Sequence, residues 1–191
     1  YGDAVQCFDW STGEIVAALK KHNLLDNTLI VISTDNGRLR NVSKELEGIF
    51  GPAAAVDPDL PSVLRGGKGQ ARYEGGVRVP PIAHWARKII AGSQSDEMMM
   101  GFDLFTSFAK VAGAEIPKDR IIDGKDVTPI WFGASGAKTP HKEVYFYENF
   151  NLVAVRQGKW KVVLPGGAKM KKGPAKIELY DLEADLGEKS N

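Results

Sequence analysis

Tyr1, Val5, Phe8, Thr12, Ile15 and Leu19 recur at steps of four and three, one face of an amphipathic helix over roughly 1–22. A turn at 24–27 leads into Thr28-Leu29-Ile30-Val31-Ile32-Ser33, an unbroken β-branched run. Such a run reads as a strand buried on both faces. A helix followed by a strand of this kind is half of a βαβ unit, so a parallel sheet is expected. Residues 34–76, rich in Gly and Pro, read as irregular exposed chain with a short helix at 38–47. Long loops in compact domains usually carry function or lack fixed structure.

Residues 77–85 read as another strand, interrupted by Pro80-Pro81 and therefore at an edge or a bulge. Asp103 opens a helix as its N-cap, with Leu104, Phe105, Phe108, Val111 and Ala112 facing inward and Gly113 ending it. From about residue 140 the period shortens to two. Strands are expected at 143–147, 152–156, 159–163 and 177–180, with Asn149, Asn151, Gly158 and Pro165-Gly166-Gly167 at the turns. The fold class that follows is α/β: a mostly parallel sheet with helices over 1–139, and a small antiparallel β subdomain over 140–191.

Composition narrows the partners. Lys+Arg 25 against Asp+Glu 24 gives a net charge of +1, no argument for nucleic acid or an anionic membrane. Cys7 is the sole cysteine, which excludes an internal disulfide framework and a cysteine-built metal site. No stretch approaches the roughly 18 apolar residues of a membrane span. The lysines at 169, 171, 172 and 176 read as a solvated hairpin loop.

Candidate chemistry sits where the hydrophobic strand ends. Thr34-Asp35-Asn36-Gly37 falls at the carboxyl edge of a strand, where open α/β sheets bind ligands. Neighbouring side chains on a strand point apart, but where the chain leaves the sheet at Gly37 both oxygens can turn to one point. A carboxylate and an amide carbonyl suit Ca²⁺ or Mg²⁺, which need further ligands. The same three residues also suit a turn without any metal. Farther on, Lys68 lies among Gly66, Gly67 and Gly69, where an anion can approach the backbone and meet a point charge. It is no Walker loop: Ser62 and Gly69 occupy positions that need glycine and Ser or Thr. A plain surface loop is the competing reading.

Taken together, several segments resemble the sulfatase family of the alkaline-phosphatase-like superfamily. They are 1–19 with Asp9 and Gly13, 26–37, 64–69, Tyr73-Glu74-Gly75-Gly76-Val77-Arg78-Val79-Pro80, 103–105, 123–126, 154–161 and 179–185 with Glu188 and Asn191, in the order of that family's C-terminal half. The resemblance implies an incomplete alkaline-phosphatase-like sheet. It implies Asp35 and Asn36 as ligands of Ca²⁺ (or Mg²⁺), and Lys68 as the catalytic cation holding a sulfate oxygen. It further implies cleavage of a sulfate ester, on a small molecule or a glycan, by a formylglycine made in a Cys/Ser-x-Pro/Ala-x-Arg motif.

That motif is absent here, because Cys7 is followed by Phe8, Asp9, Trp10 and Ser11. The expectation is therefore a C-terminal portion, inactive alone, with an exposed apolar sheet face or edge relieved by an N-terminal half or by self-association. Among the histidines, His141 is the one singled out for contact with substrate. Glu74 and Arg78 are expected to pair and brace their loop. Family enzymes are commonly exported. Two alternatives remain open at this point: a non-catalytic module binding sulfated glycan, and a phosphoester hydrolase or phosphotransferase relative.

Overall fold

The computed structural model describes residues 2–39, 63–165 and 176–191. The expected helix at 38–47 and the lysines at 169, 171 and 172 lie outside the described residues, apart from the first two positions of that helix. The chain groups into two compact units, one of Tyr1–Ile15, Ser33–Pro81 and Glu143–Asn191, the other of Val16–Ile32 and Ile82–Lys142.

Helix α1 (Gly2–Lys21) forms as its periodicity predicts, yet none of its residues is buried. Val5, Phe8 and Ile15, the apolar face, are all exposed. Strand β1 (Ile30–Ile32) is shorter than its hydrophobic run and only half-buried. It pairs antiparallel with β2 (Ile82–His84), Val31 opposite Ala83. The parallel neighbour inferred from the helix–strand order is not the pairing found. An apolar run reports burial, while pairing direction depends on the connection, which the run does not encode.

Helix α3 (Asp103–Ala112) follows a short turn α2 (Glu74–Val77) in the chain order. Gly113 ends α3 in the left-handed region at φ 71°, as expected. Two expectations about α3 are corrected. Phe102, not Asp103, is the capping position, and Asp103 is the first helical residue. The inward face is mixed: Leu104 packs the core as expected, but the buried residues are Asp103, Thr106 and Ser107, whereas Phe105 and Phe108 are exposed. The reason is a hydrogen-bonded seam to the segment after Gly124. Thr106 Oγ1 donates to the Lys125 carbonyl (2.7 Å) and the Val127 amide donates to Ser107 Oγ (3.0 Å). Beyond the seam, α4 (Thr128–Trp131) brings Val127, Ile130 and Trp131 into a core packed by Leu29, Ile89, Met99 and Leu104.

The antiparallel subdomain forms close to its expected bounds. Strands β3 (Glu143–Glu148), β4 (Asn151–Gln157), β5 (Trp160–Val163) and β6 (Glu178–Asp181) lie in that order in one sheet. Val144 and Phe146 are buried while Tyr145 and Tyr147 are exposed, the alternation of a sheet covered on one face. The register carries that inner face across the sheet, setting Val144 opposite Arg156 and Arg156 opposite Lys161 opposite Tyr180.

Candidate functional site

Asp35 and Asn36 sit in the bend that follows β1, Asp35 exposed and Asn36 half-buried. Their position is fixed by backbone, not by side-chain packing. The Gly37 amide donates to the Gly76 carbonyl at 3.1 Å, and the Lys68 amide donates to the Arg38 carbonyl at 2.8 Å. The Gly75 amide donates to the Arg65 carbonyl at 2.7 Å. The Asp-Asn-Gly bend, the Gly-Gly-Lys-Gly loop and the Glu-Gly-Gly turn are thus stitched main chain to main chain. Glycine is required because nothing larger fits. A Cβ at Gly37 would fall on the Gly75 carbonyl oxygen, and one at Gly75 or Gly76 on the carbonyls of Arg65 or Gln70.

The stitched loops present free polar groups. Among the described residues, neither the Asp35 carboxylate nor the Lys68 ammonium takes part in a hydrogen bond or ion pair, and both residues are exposed. Asn36 Nδ2 donates to the Gly37 carbonyl at 2.7 Å, which turns its Oδ1 away as an uncommitted acceptor. A carboxylate and an amide oxygen are the hard donors that calcium or magnesium takes. No group of three or more His, Cys, Asp or Glu forms among the described residues, so these residues fit part of a coordination shell. No residue fits formylglycine: Cys7 lies exposed within α1 and lacks the motif.

The loop carrying Lys68 is clamped to the inner face of the β3–β6 sheet by polar anchors from every strand. From β3, Glu148 takes both branches of Arg72, at 3.0 and 2.6 Å. This bidentate bond holds the Glu148 carboxyl below the usual carboxylate range. From β6, Glu178 and Tyr180 accept from Arg65 at 2.9 and 2.8 Å, and Tyr73 accepts from the other branch at 3.0 Å. Burial, and then its hydrogen bond to Glu178, pushes the Tyr180 phenol up to about 12.

From β4 and β5 come Arg156 and Lys161, both to Glu74. Lys161 Nζ lies 3.0 Å from Glu74 Oε1 and 2.9 Å from Glu188 Oε1. Arg156 reaches Glu74 Oε2 at 3.4 Å, and the Glu74 amide donates to Glu188 Oε2 at 2.9 Å. The expected pair of Glu74 with Arg78 is present at 3.5 Å. Lys161, Glu74 and Glu188 are 0%, 1% and 2% exposed. Burial pushes the Glu188 carboxyl up, against the pull of Lys161 and the Glu74 amide.

Sequence reasoning singled out Asp35, Asn36 and Lys68 as candidates and expected the Glu74–Arg78 brace, which is present, but not this buried cluster. Charged residues read as surface by default; the one available signal was a glutamate directly abutting two glycines. His141 belongs to the other unit. Its Nε2 lies 2.9 Å from both oxygens of the fully buried Asp103, which also accepts from the Met100 and Lys125 amides.

Two family models cover the chain. Residues 1–114 match the one described as Sulfatase, and residues 69–191 match N-sulphoglucosamine sulphohydrolase, C-terminal. The chain belongs to the sulfatase family. It is 41% identical to human steryl-sulfatase over 157 residues, 82% of this chain and 25% of that protein. In structure it resembles the PsFucS1 sulfatase of Pseudoalteromonas sp., with a TM-score of 0.73 and 29% identity over 94% of this chain and 36% of that one. It also resembles the Bacteroides thetaiotaomicron protein BT33336S-sulf, from a locus for the metabolism of multiple glycosaminoglycans. That likeness has a TM-score of 0.78 and 27% identity, and covers 100% of this chain and 40% of that one. The chain spans roughly a quarter to a third of the length of the curated sulfatases it matches. The likeness to these sulfatases bears out the α/β class, and the β3–β6 sheet of this chain is the small antiparallel sheet that the sequence suggested.

Proposed function

We propose that these 191 residues are the part of a sulfuric ester hydrolase that lends Asp35 and Asn36 to a divalent-metal site and Lys68 to the sulfate. The observation that carries this reading is the backbone stitching of the Asp-Asn-Gly bend to the Lys68 loop, which sets a free carboxylate and a free ammonium on adjoining segments. When bound, a calcium or magnesium ion supplies Lewis-acid polarisation of the sulfate. Asp35 and Asn36 would orient that ion through hard oxygens. Lys68 would bind a sulfate oxygen and offset the negative charge that grows toward the bridging oxygen as the ester bond breaks. The clamps from β3 to β6 keep the loop from drifting, since stabilisation of this kind depends on donors already in place.

Division of the chain into catalytic-domain residues 1–139 and a β subdomain 140–191 belongs to this proposal, as does export from the cytoplasm. So does a substrate of the sulfate-ester class, whether a small molecule, as the name steryl-sulfatase suggests, or a sulfated glycan. His141, held by Asp103, remains a secondary candidate for contact with substrate. The partner we expect is an N-terminal sulfatase portion bearing the formylglycine motif, or else a second copy of the chain.

The test is hydrolysis of an aryl sulfate in calcium. The isolated chain should show none, and supplying a matured N-terminal portion should restore it. Lys68→Ala should then lower kcat by about 10²–10³-fold. Substantial turnover by the purified chain alone would contradict the reading.

A further inference from the structure

Where the candidate loops meet, at Gly37, Gly75 and Gly76, no side chain of theirs stands at the contact. At Gly37, Gly75 and Gly76 any Cβ would meet a carbonyl group, so the backbones touch directly and no apolar packing fixes their register. Glycine-rich chain is also the most costly to order. Arg65 and Arg72 anchor the far side of the Lys68 loop, so restraint at the glycine contact itself falls to a flanking residue. Glu74, immediately before Gly75-Gly76, is the residue so placed, and it is held at both ends. Its amide donates to Glu188 Oε2 at 2.9 Å, and its carboxylate meets Lys161 at 3.0 Å.

Three features mark this cluster as more than surface charge. Lys161 has 0% exposure and lies 5.3 Å from the Phe146 ring centroid, so its ammonium is withdrawn from water. Glu188 holds a left-handed backbone at φ 53°, a conformation that costs a non-glycine residue energy and persists only where the surroundings enforce it. Finally, buried ion pairs contribute little net stability relative to an apolar cluster of the same size. What an ion cluster provides is direction, because charge-assisted hydrogen bonds fix atoms at set distances and angles.

We infer that Glu74, Lys161 and Glu188 form a positioning device by which β5 and the C-terminal segment hold the Asp35–Asn36 bend and the Lys68 loop in mutual register. A relay of hydrogen bonds makes the link. Glu188 holds the Glu74 amide; Gly75 is bonded to Arg65, at the base of the Lys68 loop; Gly76 accepts from Gly37; and Lys68 donates to Arg38. The inference rests on the proposed function only in naming those loops a metal and sulfate site. The positioning itself is independent of it.

Amide hydrogen exchange on the 191-residue chain tests it without calcium or turnover. In Lys161→Met, and in Glu188→Gln should the first fail to fold, the amides of Gly37, Lys68 and Gly75 should exchange about tenfold faster. The amides of the β3–β4 ladder, such as Tyr145 and Val155, should keep their native rates. Arg120→Gln, an exposed pair with Asp119, serves as the control and should move neither set. The inference is overturned if the loop amides keep their rates in a folded variant, or if loop and ladder accelerate together, the mark of general destabilisation. Failure of the proposed function would show elsewhere, as hydrolysis indifferent to Lys68→Ala.

Discussion

The Gly37 amide and the Gly76 carbonyl meet at 3.1 Å, with the Gly75 carbonyl lying where a Cβ on residue 37 would go. Gly37→Ala must therefore push the two segments apart. Overpacking of this kind costs about 1–3 kcal/mol, and denaturant unfolding should show a loss in that range. Gly69→Ala is the contrasting case. Gly69 has a φ of 82° and open space around its Cβ position, so only the left-handed backbone penalty of about 1–2 kcal/mol applies. The two should differ most in activity of the assembled enzyme, which Gly37→Ala should abolish and Gly69→Ala should largely spare.

Arg72 and Glu148 set an acid limit on the clamp. The Glu148 carboxyl lies below its ordinary value of 4.5 in the folded chain, chiefly through the side-chain hydrogen bond to Arg72. A depressed carboxylate stabilises the fold fully above its unfolded value and loses that contribution as pH falls through the folded one. Urea titrations should therefore show stability declining below about pH 4.5, with Glu148→Gln giving a shallower decline. An unchanged acid limb in Glu148→Gln would rule out this contribution.

Asp103 ties His141 to the start of α3. Asp103→Ala leaves the Met100 and Lys125 amides without their acceptor, bonds now of 2.7 and 2.8 Å. An unpaired buried donor costs about 1–3 kcal/mol, and these part-buried amides less, so calorimetry should show a lowered Tm. His141→Asn should cost less stability. If His141 touches substrate, the same change should raise KM in the assembled enzyme.

Among the described residues nothing covers the apolar face of α1, with Val5, Phe8 and Ile15 each more than half exposed. An exposed stripe of this kind drives association. Sedimentation should show the isolated chain associating with rising concentration, and Phe8→Glu should shift it toward monomer. A strictly monomeric native chain would remove the case for a partner on this face.

How much was legible in the sequence depended on the range of the determining contacts. The β3–β6 sheet was legible because alternation is local: Val144 and Phe146 in, Tyr145 and Tyr147 out. So was the end of α3 at Gly113, a left-handed cap written in one residue. Asp35, Asn36 and Lys68 were singled out through motif context, since each short segment alone is also ordinary turn or loop chemistry. The Glu74–Glu188 bond spans 114 positions and joins charged residues that surface composition would assign to solvent. The only local signal is the Gly75-Gly76 pair beside Glu74, which names no partner. The polar part of the inner face of α3 was missed for a related reason: Thr106 and Ser107 are buried because Lys125 and Val127 satisfy them, and hydropathy alone is blind to partners.

A crystal structure of the protein with calcium and inorganic sulfate tests the proposed site most directly. Oxygens of Asp35 and Asn36 should lie about 2.3–2.6 Å from a single ion, with Lys68 Nζ in hydrogen-bond contact with a sulfate beside it. Calcium bound elsewhere, or a sulfate that ignores Lys68, would contradict the assignment of these three residues to one catalytic centre.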